Sequence, residues 1–166
     1  MRIVVVSDTH MPAKARQLPQ ALQDELSQVD AILHAGDWTS YEVYDMLAAY
    51  APVHGIAGNN DGERIVKAFG YRKIVTLEGK RIGLVHGHGR QGTTDSRAAE
   101  AFAGDNVDMV VFGHSHSPLY ERRNGVILFN PGSPTDKRRQ RSYSYGRLDI
   151  TEQGISGEIV YFDRKE

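Results

Sequence analysis

The sequence predicts an α/β fold in which two mixed β-sheets pack face to face and helices cover their outer surfaces. Three observations carry that expectation. The first half alternates short apolar runs with amphipathic helical stretches, the order that builds a parallel sheet through right-handed crossovers. The second half contains two hairpin patterns, and the chain closes on a third antiparallel pair. A sheet that mixes parallel crossovers with several hairpins is best accommodated by splitting into two packed sheets with helices outside.

Taken in order, residues 3–6 form an unbroken Ile-Val-Val-Val run that suits a buried strand. Residues 19–28 put Leu22, Leu26 and Val29 on one helical face. A second strand follows at 31–35. Ser40 then suits the N-cap of a helix through Tyr50, in which Val43 and Leu47 stand four apart. Residues 53–57 make a third strand, and Gly58-Asn59-Asn60-Asp61 reads as a turn into a helix at Gly62. Residues 73–77 and 81–85 form a hairpin around Glu78-Gly79-Lys80, a helix spans 95–103, and a buried strand runs over 109–112. Residues 120–123 and 126–129 flank Asn124-Gly125, a pair that favours a type I′ turn. The last pair is 142–150 with 155–162, around a Gly-containing turn.

With 166 residues and 40% apolar content, one domain over 1–166 is expected. Twenty basic against 21 acidic residues leave a formal charge of −1, which argues against a nucleic-acid or acidic-membrane partner. The lack of cysteine removes disulfides, thiolate zinc sites and cysteine nucleophiles. The first apolar run meets the polar SDTH at once, too short for a signal peptide or membrane span, so a cytoplasmic protein is expected.

Seven candidate metal ligands fall in five short clusters: Asp8 and His10 in SDTH, Asp37 in AGDW, Asn59 in GNND, His86 in VHGH, and His114 with His116 in FGHSH. Four clusters directly follow apolar runs. If those runs belong to open α/β sheets, the ligands converge at the carboxyl ends of the strands. A single ion with open catalytic positions rarely needs seven protein ligands, so two ions sharing a carboxylate fit better, and the isolated Asp37 suits the bridge. Spacing alone does not divide the others between the ions. Mixed nitrogen and oxygen ligation suits manganese, iron, zinc, cobalt or nickel better than magnesium or calcium, and manganese is taken as the first expectation.

Two divalent ions against two aspartates and a bridging hydroxide leave a centre of about +1, suited to an anion. A phosphoester fits: paired ions can activate a water, orient it in line and neutralise the phosphoryl oxygens. Asp37, Asn59 and His86 would then serve catalysis by holding the attacking hydroxide. An aspartate after a buried strand is often only a cap or turn former. The ordered company of four histidines favours ligation instead. His34, inside an apolar run, reads as a structural histidine, and Asp61 as a helix cap or a support for a ligand.

The ordered series Asp8-x-His10, Gly36-Asp37, Gly58-Asn59-Asn60-Asp61, His86-Gly87 and Gly113-His114-Ser115-His116 resembles the calcineurin-like metallophosphoesterase superfamily. The short length, GNND, GHSHSP at 113–118 and Asn130-Pro131-Gly132-Ser133-Pro134 are similar to its small YfcE-type phosphodiesterase branch, which is related to Vps29. The resemblance implies a four-layer αββα sandwich. It also implies one ion on Asp8, His10, Asp37 and His116, and the other on Asp37, Asn59, His86 and His114. Where many relatives carry a histidine after the motif asparagine, this chain has Asn60. An amide is no general acid near neutral pH, so loss of proton assistance to a poor leaving group costs a factor of about 10²–10⁴. The branch is associated with phosphodiesters, and Asn60 is assigned to substrate binding. His88, two residues beyond His86, is the nearest substitute proton donor.

The run Lys137-Arg138-Arg139-Gln140-Arg141 could put Arg138 beside a substrate phosphate, although a charge run is usually a solvated loop. A nuclease is the second enzymatic reading, disfavoured by the neutral overall charge. A non-catalytic scaffold of the Vps29 kind predicts missing ligands, and here every motif ligand is present. Partners are therefore a small phosphoester and no membrane. The resemblance admits a homo-oligomer, but no stripe in the sequence identifies its interface.

Overall fold

The computed structural model describes residues 1–166. Its first half supplies strands β1 (Arg2–Val6), β2 (Ala31–His34) and β3 (Val53–Gly55), separated by helices α1 (Gln20–Leu26) and α2 (Glu42–Ala48). Helix α3 (Glu63–Phe69) leads to β4 (Arg72–Leu77) and β5 (Lys80–Val85), then α4 (Thr94–Ala101), β6 (Met109–Val111), β7 (Leu119–Arg123), β8 (Val126–Asn130), β9 (Tyr143–Thr151) and β10 (Gly154–Phe162).

These strands form two five-stranded sheets, β10-β9-β1-β2-β3 and β4-β5-β6-β8-β7. Strands β1, β2 and β3 run parallel in the first sheet, and β5, β6 and β8 in the second. The hairpin strands complete each sheet antiparallel. Alternation along β1 explains the layering. Ile3 and Val5 face the second sheet, where they join Leu33, Leu84, Val111 and Phe129 in the central core. Val4 and Val6 face outward and pack with Leu22, Leu26, Val43, Leu47 and Ile65 of the three helices on that side. Helix α4 covers the other outer face through Ala98 and Phe102 against Val110 and Leu128. Strands buried on both faces read as continuous apolar runs, which is why the first-half pattern is so plain. The result is the four-layer αββα sandwich. No helix is long and apolar enough to cross a membrane.

Several boundaries differ from expectation for local reasons. The third strand stops at Gly55, because the Ala57 N–H leaves the sheet to donate to Gly70 O at the end of α3 (2.6 Å). Helix α4 begins a residue early: Thr93 Oγ1 accepts from Ser96 N, and Ser96 Oγ accepts from Thr93 N, a reciprocal cap. The Glu78-Gly79 and Asn124-Gly125 turns are two residues long with positive φ at both positions, the type I′ geometry that suits hairpins. Asp61 does not cap α3, whose N-cap is Gly62.

Candidate metal centre

The parallel strands β1, β2 and β3 of one sheet and β5, β6 and β8 of the other deliver their carboxyl ends to a common region. Loops leaving those ends zip together beyond the sheets. Asp8 N donates to Gly36 O (2.9 Å), His10 N to Asp37 O (3.1 Å), and Gly113 N to His86 O (3.0 Å). Asp8, His10, Asp37, His114 and His116 all have positive φ, so each strand turns sharply as it ends. Asp and His enter this region more readily than most residues, but such conformations persist only where surroundings enforce them.

The turns aim side chains at one point. Asp8 Oδ1 lies 3.8 Å from His10 Nε2, 3.6 Å from His86 Nε2 and 3.5 Å from His116 Nε2. Asp37 Oδ2 lies 3.5 Å from His10 Nε2 and 3.3 Å from His86 Nε2. Two compact groups result: Asp8 with His10 and His116, and Asp8 with Asp37 and His86. Asp8 is common to both groups, and Asp37 lies against one histidine of each, His10 and His86.

Asp8 Oδ1 and the Nε2 atoms of His10, His86 and His116 are buried without a hydrogen-bond partner. An unsatisfied buried polar group costs about 1–3 kcal/mol, and four sharing one small volume fit a cation as common partner. The far sides of the rings agree. His86 Nδ1 faces Ala35 O (2.7 Å) and His116 Nδ1 faces Asp136 O (2.5 Å). A carbonyl there requires N–H at Nδ1 and leaves the Nε2 lone pair for a metal. Asp8 Oδ2 is likewise fixed from behind by Ser7 Oγ (2.7 Å) and the backbone N–H of His114 (3.0 Å).

Electrostatics follow from this crowding. Burial alone would push the Asp8 carboxyl up, but the His10 ring, the charges of His86 and His116, and Ser7 hold it below its ordinary value. Burial opposes ionisation of Asp37 too, yet the His86 ring and the Asn60 donors hold it far below the carboxylate range. For His86, burial is outweighed by Asp37 and Asp8, so its pKa is raised. A divalent cation competes with that proton for Nε2, so metal binding is expected to release protons. His114 and His116 are shifted down, mainly by burial.

The remaining candidates stand around this cluster. His114 is half-buried, its ring edge-on to His86 at 5.2 Å between centroids. Asn59 is exposed on the β3 loop. Asn60 is turned toward Asp37: its N–H donates to Oδ1 (2.9 Å) and its amide to Oδ2 (2.8 Å). His88 is exposed at the rim, its ring 5.7 Å from that of His86. Arg138 is exposed, with Nε 3.9 Å from Asp136 Oδ2, the residue whose carbonyl holds His116.

His34 is structural, as its apolar setting implied. It is fully buried, accepts the Gly36 N–H at Nδ1 (3.1 Å), faces Thr9 Oγ1 (3.2 Å) and stacks on Trp38 at 3.8 Å. Burial pushes its pKa down to about 3. The sequence reading left the bracing role of the 130–135 segment unrecognised. Buried Asn130 donates to Gly113 O (3.1 Å), Ser133 Oγ to Asp8 O (2.8 Å) and Thr135 Oγ1 to Thr9 O (2.6 Å), tying the β8 exit to two ligand loops. The available signal was a strand ending in a dense Asn-Pro-Gly-Ser-Pro-Thr cluster, polar beyond what a turn needs.

A family model for the calcineurin-like phosphoesterase superfamily domain matches residues 1–153. A protein of Methanothermobacter thermautotrophicus named a probable metallophosphoesterase is 37% identical over 162 residues, covering 96% of this chain and 92% of that one. A solved structure described as a novel archaeal phosphodiesterase has a TM-score of 0.75 at 25% identity, covering 98% of this chain and 100% of the other. A zinc-complexed Vps29 from Entamoeba histolytica gives 0.78 at 24% identity, covering 98% and 100%, a likeness of fold.

Proposed function

Because the chain belongs to the calcineurin-like phosphoesterase superfamily, we propose that it is a two-metal phosphodiesterase acting on small phosphoesters. The observation that carries this reading is the set of four buried, unpartnered ligand atoms on Asp8, His10, His86 and His116. The similarity to an archaeal phosphodiesterase supports the choice of diesters. Asp8, His10, Asp37 and His116 would hold one ion, and Asp37, Asn59, His86 and His114 the other, with manganese the first choice. When bound, the pair would supply an activated water and offset charge on the phosphoryl oxygens.

The chain's own groups do the rest. Asp8 and Asp37 stay ionised, as cation ligands must. Ala35 O and Asp136 O hold His86 and His116 in the ligating tautomer. The Asn60 amide and backbone N–H hold the Asp37 carboxylate through both oxygens, and the amide would contact bound substrate. Arg138, exposed beside Asp136, the residue whose carbonyl holds His116, would offer a guanidinium suited to an anionic oxygen. His88, exposed at the rim, would be the group to protonate a leaving group. The Asn60 amide cannot do so, which favours esters with good leaving groups.

The test is steady-state turnover of an aryl phosphodiester and the matching monoester by protein reconstituted with Mn, Ni, Co, Zn or Mg. Metal-dependent hydrolysis with the diester preferred is expected. Hydrolysis of neither ester under any metal overturns the proposal.

A further inference from the structure

We propose that Tyr71, together with His88, forms a shelf beside the metal centre that seats a planar aromatic substituent of the phosphoester. The inference rests on the phosphoesterase reading and extends it to a substrate class.

Tyr71 follows Gly70, whose carbonyl accepts the Ala57 N–H (2.6 Å). Residue 71 is thereby pinned to the loop that carries Asn59 and Asn60. The Tyr71 side chain belongs to none of the three core clusters and makes no side-chain hydrogen bond, and the residue is 48% exposed. A single exposed tyrosine is ordinary; its neighbours are what give it meaning. Its ring lies 6.0 Å from that of His88, and the His88 ring lies 5.7 Å from His86 and 6.4 Å from His114. A row of rings therefore leads from the buried ligands outward to solvent, at separations in the range where aromatic groups attract one another.

The inner part of the shelf is braced. Arg97 Nε donates to Gly87 O (2.9 Å), and its NH1 donates to Gln91 O (3.0 Å) and Gly92 O (2.9 Å), so one guanidinium spans the loop bearing His88. Both residues are exposed at the edge of the site, their rings tilted 58° to one another. An ester substituent leaving a phosphoryl group over His86 and His114 meets His88 first and Tyr71 next. With the two rings tilted at 58°, a planar substituent lies flat on one and meets the other towards its edge, both favourable aromatic contacts, whereas a small alkyl group leaves Tyr71 untouched.

The experiment is calorimetric binding of phenylphosphonate and methylphosphonate to manganese-loaded wild-type protein, Tyr71→Ala and Tyr71→Phe, with melting curves for each. Wild type is expected to prefer the phenyl ligand. Tyr71→Ala should weaken phenylphosphonate about fivefold to tenfold, the low end for loss of one stacking partner, and leave methylphosphonate within about twofold. Tyr71→Phe should retain the preference, and no melting point should shift much. Equal binding of the two ligands to wild type, or an equal change in both on Tyr71→Ala, overturns the shelf alone. Binding of neither ligand to metal-loaded wild type overturns the phosphoester reading with it.

Discussion

The Asp61 carboxylate accepts the backbone N–H of Asp37 at 2.8 Å, across 24 residues of chain. It also accepts from Gly58 N (2.7 Å) and Thr39 N (2.8 Å), so one side chain shapes both loops around Asp37. Asp61→Ala strands three donors. A stability loss of at least about 2 kcal/mol is expected from urea unfolding, with metal affinity falling about 10–100-fold. Asp61→Asn, which keeps one acceptor oxygen, should lose less of both.

Gly58 packs directly against Asp37. A Cβ at this position would overlap Asp37 Oδ1 and stand 2.6 Å from its backbone nitrogen. Gly58→Ala therefore displaces the carboxylate, at a folding cost of about 1–3 kcal/mol typical of overpacking. Trp38 follows Asp37 in the chain, stacks on His34 and is the one tryptophan, so its fluorescence should report the shift. A changed fluorescence response to added manganese, with circular dichroism unchanged, is the expected result.

Asn60→His tests the origin of the proposed diester preference. The substitution supplies a titratable group beside Asp37 and removes the amide that bonds Asp37 Oδ2. The ratio of monoester to diester turnover should rise about tenfold or more if proton donation limits monoester cleavage. An unchanged ratio would assign the preference elsewhere.

Glu25 gives a pH prediction remote from the ligands. This buried carboxylate accepts from Tyr145 OH (3.0 Å) and Arg147 Nε (2.9 Å), clamping α1 to β9. Burial alone would raise its pKa, but Arg147 and Tyr145 hold it below the ordinary 4.5. Its contribution is thus present above pH 4.5 and is lost as pH falls through the lower folded value. Glu25→Gln should be less stable at pH 7 by about 1–3 kcal/mol. The gap to wild type should shrink toward pH 3 in chemical unfolding.

Much of this was legible in the chain because β1, β2 and β6 are buried on both faces and each is followed closely by a candidate ligand. The runs at 3–6, 31–35 and 109–112 announce strands by apolarity alone, and Asp8, Asp37 and His114 follow within a few residues of their ends. Less legible were the polar braces. Asp61 to Asp37, Ser133 to Asp8 and Glu25 to Arg147 join residues 24, 125 and 122 apart, with no periodicity to betray the pairing. Tyr71 was invisible for another reason: an isolated exposed aromatic gains significance only when a neighbouring loop sets His88 against it.

The central claim is that Asp37 joins two ion sites into one centre, and ion stoichiometry tests it most directly. Equilibrium dialysis of wild type and Asp37→Ala against manganese should give two ions per wild-type chain. The folded variant should retain neither at the same free concentration, while His10→Ala chiefly weakens one. Two ions per chain in folded Asp37→Ala would contradict the claim.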